Sequence, residues 1–161
     1  MDEMDDLPAA DTWEDVLADM DATAASYVED GWTVQKIHPG QVTVLDGEAS
    51  DRLGLDVLVP DNEFDDVEEL VEEGFTVDDY EVFTAIDGGF VFLVVALRDP
   101  ETKRALLVPA YYRIAGETTT RMLVNANERG AIHTYLRTLD RSVIEFTHED
   151  PELFQPSESV E

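Results

Sequence analysis

Residues 80–114 read YEVFTAIDGGFVFLVVALRDPETKRALLVPAYYRI, and this stretch decides the fold. Tyr80 to Ile86 alternates, the period of a half-buried strand. Asp87-Gly88-Gly89 supplies a tight hairpin turn, where glycine accepts a positive φ at no steric cost. Phe90 to Arg98 is apolar almost throughout, so this strand is expected mid-sheet and covered on both faces. Asp99-Pro100-Glu101-Thr102 fits a type I turn, with Asp first and Pro second. Ala105 to Ile114 then returns. Pro109 has no N–H to give a ladder, which places the returning strand at an edge or on a bulge. Short strands joined by tight turns favour antiparallel pairing.

The flanking elements follow from the same periodicities. Trp13, Val16, Leu17, Met20, Ala24, Tyr27 and Val28 predict a helix that opens at Asp11 and Thr12 and closes at Gly31. Trp32–His38, Gln41–Leu45 and Leu53–Val59 read as strands. Pro60 ends the last of these, and Asp61 or Asn62 caps a helix with Phe64, Val67, Leu70 and Val71 inward. Thr118 to Val124 is rich in Thr and apolar residues and reads as a strand. Asn125 or Asn127 then caps a third helix carrying Ile132, Tyr135, Leu136 and Leu139, with Gly130 weakening its first turn by about 1 kcal/mol. Ser142–His148 reads as the last strand. The expectation is an α+β domain, with three helices against a mostly antiparallel sheet of about six to eight short strands. Residues 1–10 read as a disordered acidic lead-in, 11–148 as one domain, and 149–161 as an acidic tail with Phe154 as a candidate anchor. The element order is similar in outline to PAS-, GAF- and profilin-like sensor folds, an analogy that carries little about function.

Charge dominates the composition. The 161 residues hold 38 Asp and Glu against 10 Lys and Arg, a formal charge of −28. Carboxylates packed on one small domain repel one another across a Debye length of about 10 Å at 0.1 M salt, but hardly at all across about 3 Å at 1 M. Only Lys36 and Lys103 are lysines; the remaining basic residues are arginines. The pattern is that of a protein living in concentrated salt. A competing reading is a surface that imitates a nucleic-acid backbone, and such a mimic would fold at low salt. Absence of cysteine excludes a disulfide framework, a zinc–thiolate site and a thiol nucleophile. The apolar run Phe90–Leu97 is far shorter than the ~20 residues a membrane helix needs. The opening MDEMDDLP lacks the basic and apolar segments of a secretory signal. A cytoplasmic location with no membrane association is expected.

The cations are unevenly placed. Arg98, Lys103, Arg104, Arg113, Arg121, Arg129, Arg137 and Arg141 crowd residues 98–141, with Tyr111, Tyr112, Tyr135 and His133 among them. Arginine binds phosphate and carboxylate bidentately and stacks on aromatic faces, so this stretch can meet an anionic partner. The alternative is ordinary ion pairing with acidic neighbours. Arg129, His133 and Arg137 are spaced by four, on one face of the expected third helix. Together with Arg121 they form the candidate partner- or anion-binding surface.

No sequence motif assigns a reaction. A Walker loop, GxGxxG, GxSxG and HExxH are all missing. Residues 61–66, DNEFDD, lack the glycine and closing glutamate of a calcium loop and read as a helix start with favourable acids. His148-Glu149-Asp150 offers metal-binding atoms, but three adjacent residues at a strand end rarely converge on one ion. No catalytic residue, cofactor or metal is therefore assigned. Three segments, VEDGWTV at 28–34, LRDPETKRALLVPAYYRI at 97–114 and HTYLRTLD with IEFTHEDPELF between His133 and Phe154, resemble the small acidic uncharacterised proteins of haloarchaea. That resemblance implies a haloarchaeal cytoplasmic origin and brings no activity with it. The leading expectation is a non-enzymatic interaction or regulatory domain, acting through a sheet edge or the arginine-bearing surface. A small-ligand sensor with a pocket between sheet and helices is the alternative, and an enzyme of unrecognised type stands behind both. The sequence names no partner: a protein partner fits, and nothing supports nucleic acid.

Overall fold

A computed structural model describes residues 10–48 and 50–155. The acidic lead-in expected at 1–10 falls almost wholly outside the described residues, as does the chain beyond Gln155. The elements run α1 (Ala10–Glu29), β1 (Thr33–Lys36), β2 (Gln41–Asp46), β3 (Leu53–Leu58), α2 (Asp61–Glu72), β4 (Asp79–Asp87), β5 (Phe90–Asp99), β6 (Arg104–Arg113), α3 (Glu117–Arg129), β7 (Ile132–Arg137) and β8 (Val143–His148), followed by a short 3-10 turn at Pro151–Phe154. The class is α+β as expected, but the strands divide into two four-stranded sheets. The first has the order β1-β6-β5-β4 and the second β2-β3-β7-β8. Each sheet contains one parallel pair, β1 with β6 and β3 with β7; the other pairs are antiparallel.

The central-strand reading of Phe90–Leu97 holds. β5 lies between β4 and β6 and is buried from Phe90 to Leu97. One face of it, Val91, Leu93, Val95 and Leu97, joins the main core with Leu53, Leu55, Val57, Ile132 and Leu136 of the second sheet. The other face, Phe90, Phe92, Val94 and Ala96, is covered by Val16, Met20 and Ala24 of α1. Trp13 stacks edge-on against Tyr111 at 5.2 Å. Burial of this much aliphatic and aromatic surface is the main stabilising term, about 25 cal/mol for each Å² of apolar area.

Four local expectations are corrected. Residues 118–124 are not a strand. They belong to α3, in which Thr119, Met122 and Ala126 are buried at helical spacing. The threonines that suggested a strand instead bond back along the chain: Thr119 Oγ1 donates to the Arg113 carbonyl and Thr120 Oγ1 to that of Gly116. Gly130 does not weaken a helix start. It closes α3 at φ 74°, its N–H bonding the Ala126 carbonyl. The third helix expected over Ile132–Leu139 is the strand β7, with Ile132, Thr134 and Leu136 inward and His133 and Arg137 on the opposite face. Finally, β6 is not a sheet edge, because β1 pairs with it. That pairing reaches only Leu107, so Pro109 stands past the end of β1, where no partner needs its N–H.

Candidate functional site

The structure scatters the four cations singled out in the sequence. Arg121 and Arg129 are two turns apart on α3, flanking Asn125. Arg121 Nε donates to Asp46 at 2.9 Å, and its terminal nitrogen lies 3.5 Å from Glu117. The hydrogen bond to Asp46 raises the Arg121 pKa further. Asn125 Nδ2 donates to the Asp46 carbonyl at 2.8 Å, and Arg129 donates to the carbonyls of Gly47 and Asp51. This row ties α3 to the connection between β2 and β3. His133 and Arg137 stand on β7. His133 Nδ1 is 3.0 Å from both Glu145 and Thr147. Arg137 Nε reaches both oxygens of Asp56 at 3.0 Å. The helical stripe therefore does not exist as a single face, and each of the four residues has an acidic or carbonyl partner inside the chain.

Buried polar groups gather where the chain leaves β8. His148 is buried, with Nε2 2.9 Å from Thr134 Oγ1, and its ring lies 4.9 Å from both Tyr80 and Phe154. Burial, with a smaller contribution from His133, lowers its pKa to about 4. Tyr112, whose phenol pKa is pushed up by burial, donates to the Phe154 carbonyl at 2.7 Å. Phe154 is fully enclosed. The His148-Glu149-Asp150 triplet does not converge: His148 points into the core, while the Asp150 N–H donates to the Tyr80 hydroxyl at 3.0 Å.

Among the described residues, the outer edge of β4, one of the four edge strands, has no neighbouring strand. Ile114 donates to the Gly89 carbonyl, which sets the alternation: odd-numbered residues of β5 turn their backbone groups to β6 and even-numbered ones to β4. The β4–β5 register then gives Asp79, Glu81, Phe83, Ala85 and Asp87 to β5. The N–H and C=O groups of Tyr80, Val82, Thr84 and Ile86 point away from the sheet. Among the described residues none offers them a backbone partner. The middle of the strand, Val82 to Ile86, carries no charge, and Phe83 (47% exposed) and Ile86 (38%) stand in the open. Beside Phe83, a groove of about 230 Å³ runs between β4 and α1, lined by Val16, Asp19, Phe83, Ala85, Phe92 and Val94 among others. Arg98 sits at the start of the strand, 3.2 Å from Asp79 and 3.8 Å from Glu81, with its guanidinium over the rings of Tyr27 and Trp32.

Sequence alone could not find this edge. The alternation of Tyr80–Ile86 marks a strand, but which hairpin strand lies outermost depends on β1 joining the far side of β6, a contact made across some seventy residues. A second opening, about 430 Å³, lies between β2, β6 and the start of α3, where Tyr111, Arg113, Gly116 and Thr118 meet. Among the described residues, no helix is long and apolar enough to cross a membrane. No curated protein and no solved structure matches the chain. A family model does match, over residues 3–156, and the chain belongs to that family, DUF7529, a family of unknown function.

Proposed function

We propose that this chain is a non-catalytic interaction domain, adapted to concentrated salt, that takes a protein strand along the outer edge of β4. The observation that supports the reading is that edge: four outward-facing residues with no backbone partner among the described residues, beside exposed apolar side chains. Natural sheets blunt such edges with Lys, Pro, bulges or a covering segment, because an open edge is a template for another strand. The charge-free middle of β4 carries none of these. Strand addition supplies main-chain hydrogen bonds, and the neighbouring groove supplies side-chain selectivity. The salt adaptation draws on the charge of −28 and the scarcity of lysine, and a haloarchaeal cytoplasm is the setting that matches it. The reading does not draw on Arg121, Arg129, His133 and Arg137, whose partners are internal.

Thr84→Pro tests the edge. The Thr84 N–H faces outward, so proline removes a docking group without touching the β4–β5 ladder. Tagged protein in an extract of the source organism at about 2 M KCl should retain a partner. The Thr84→Pro form should lose it with its circular-dichroism melt unchanged, while Arg129→Ser with His133→Ser and Arg137→Ser keeps it. Retention of the same partner by Thr84→Pro would sink the reading.

A second reading, a small-ligand sensor, is favoured by the opening at the start of α3. Its size falls within the range of small-molecule sites, and it combines an aromatic wall with Arg113 and three threonines. Thermal shift in molar KCl against a metabolite panel, compared with Arg113→Ala, tests it: a stabilising compound whose effect needs Arg113 supports the sensor.

A further inference from the structure

Resting on the strand-addition reading, we infer that the strand received by β4 is β4 of a second copy of this chain, running antiparallel across a twofold axis at Phe83. The strand is complementary to itself in one register. Placing Phe83 opposite its own counterpart sets Tyr80 against Ile86 of the other copy and Val82 against Thr84, in both directions. All four outward-facing residues of each strand then fall in hydrogen-bonded pairs. A shift by two residues either way leaves outward groups unpaired. The side chains agree with the backbone. On the core side, exposed Ile86 meets Tyr80 and Val82 meets Thr84, apolar or β-branched pairs of the kind that stabilise sheets.

On the α1 side, Phe83 meets Phe83 at a non-hydrogen-bonded position, where opposing Cα atoms approach to about 4.5 Å and side chains pack closest. Glu81 falls against Ala85, a neutral pairing. The remaining pair, Asp79 against Asp87, is unfavourable. It lies beside Arg98, which already holds Asp79 at 3.2 Å. That like-charge pair, together with the net charge of −28 on each copy, makes the dimer salt-dependent. Repulsion at these distances fades once the Debye length falls to about 3 Å in molar salt. The β1-β6-β5-β4 sheets of the two copies become one continuous sheet of twice the width, with no β4 edge left.

The cysteine-free chain makes the register directly testable. Opposing Cα atoms in a non-hydrogen-bonded pair lie within the range a disulfide spans, about 4.4–6.8 Å. In about 2 M KCl, purified Phe83→Cys should form a disulfide dimer under mild oxidation. Glu81→Cys and Ala85→Cys should each form no disulfide dimer alone and cross-link when mixed. Sedimentation velocity of the unmodified chain in the same salt should show a monomer–dimer equilibrium that Thr84→Pro abolishes. A chain that stays monomeric at high concentration overturns the inference, and the strand-addition reading then stands or falls on the partner capture alone. A dimer that survives Thr84→Pro, or one in which Phe83→Cys fails to cross-link, overturns the inference as well by placing the contact elsewhere.

Discussion

Gly54 shows how a single residue can hold the second sheet together. It sits in β3 at φ 140°, a conformation side chains rarely adopt, directly against β7. A Cβ at this position would come within 1.9 Å of the His133 carbonyl oxygen, a backbone atom that cannot step aside. Gly54→Ala should therefore destabilise the fold by about 3 kcal/mol or more, through clash and strain combined. Chemical denaturation in molar KCl checks this, and a loss below about 1 kcal/mol would show that β3 and β7 separate easily. In the sequence Gly54 is only one glycine in an alternating run. Its role becomes visible only when a parallel partner eighty residues away is laid beside it. The glycines of the β4–β5 turn are different. Gly88 at φ 58° and Gly89 at φ 87° do what the Asp-Gly-Gly motif announces, because a two-residue hairpin is a local event.

At the scale of elements, legibility follows the same division. The hairpin of β4 and β5, the first two helices and β8 were readable because their periodicity admits one interpretation. The segment from Thr118 to Leu139 was not. Thr118-Thr119-Thr120 has strand propensity, but hydroxyls bonded to the carbonyls of Arg113 and Gly116 secure a helix start. Ile132, Tyr135 and Leu136 match helical spacing as well as Ile132, Thr134 and Leu136 match strand spacing. The choice was made by β3, which offers a ladder on one side, and β8, which offers one on the other. With that choice the Arg129–His133–Arg137 stripe came apart.

The segment after β8 carries a pH dependence of its own. His148, buried between Tyr80 and Phe154, has a pKa lowered to about 4 in the folded chain, against about 6.5 when unfolded. The unfolded state takes up the proton first. The stability contributed by neutral His148 is therefore complete above pH 6.5, declines as pH falls through the window down to about 4, and is lost below it. The loss amounts to about 3 kcal/mol. Denaturation curves between pH 7 and 4 should show this decline in the native chain relative to His148→Gln. Parallel curves for the two would contradict burial of a neutral imidazole.

For the whole molecule, the two principal features belong together. A surface of this charge opposes compaction and association in dilute buffer and permits both in brine. An open edge strand with an uncharged middle is a hazard on an ordinary protein. On a strongly anionic one, the field of the whole surface opposes pairing in dilute buffer, and in brine the choice of register falls to the local contacts. The charge was plain from the composition. The edge was not, because it is defined by the topology of the first sheet.

Amide hydrogen exchange of β4 in about 2 M KCl, followed by NMR at two protein concentrations, tests the central claim most directly. Amides of Glu81, Phe83 and Ala85, bonded to β5, should be protected at both concentrations. Those of Tyr80, Val82, Thr84 and Ile86 should be protected in concentrated solution and exchange rapidly on dilution. Rapid exchange of these four at every concentration, or protection that dilution leaves untouched, would contradict the account.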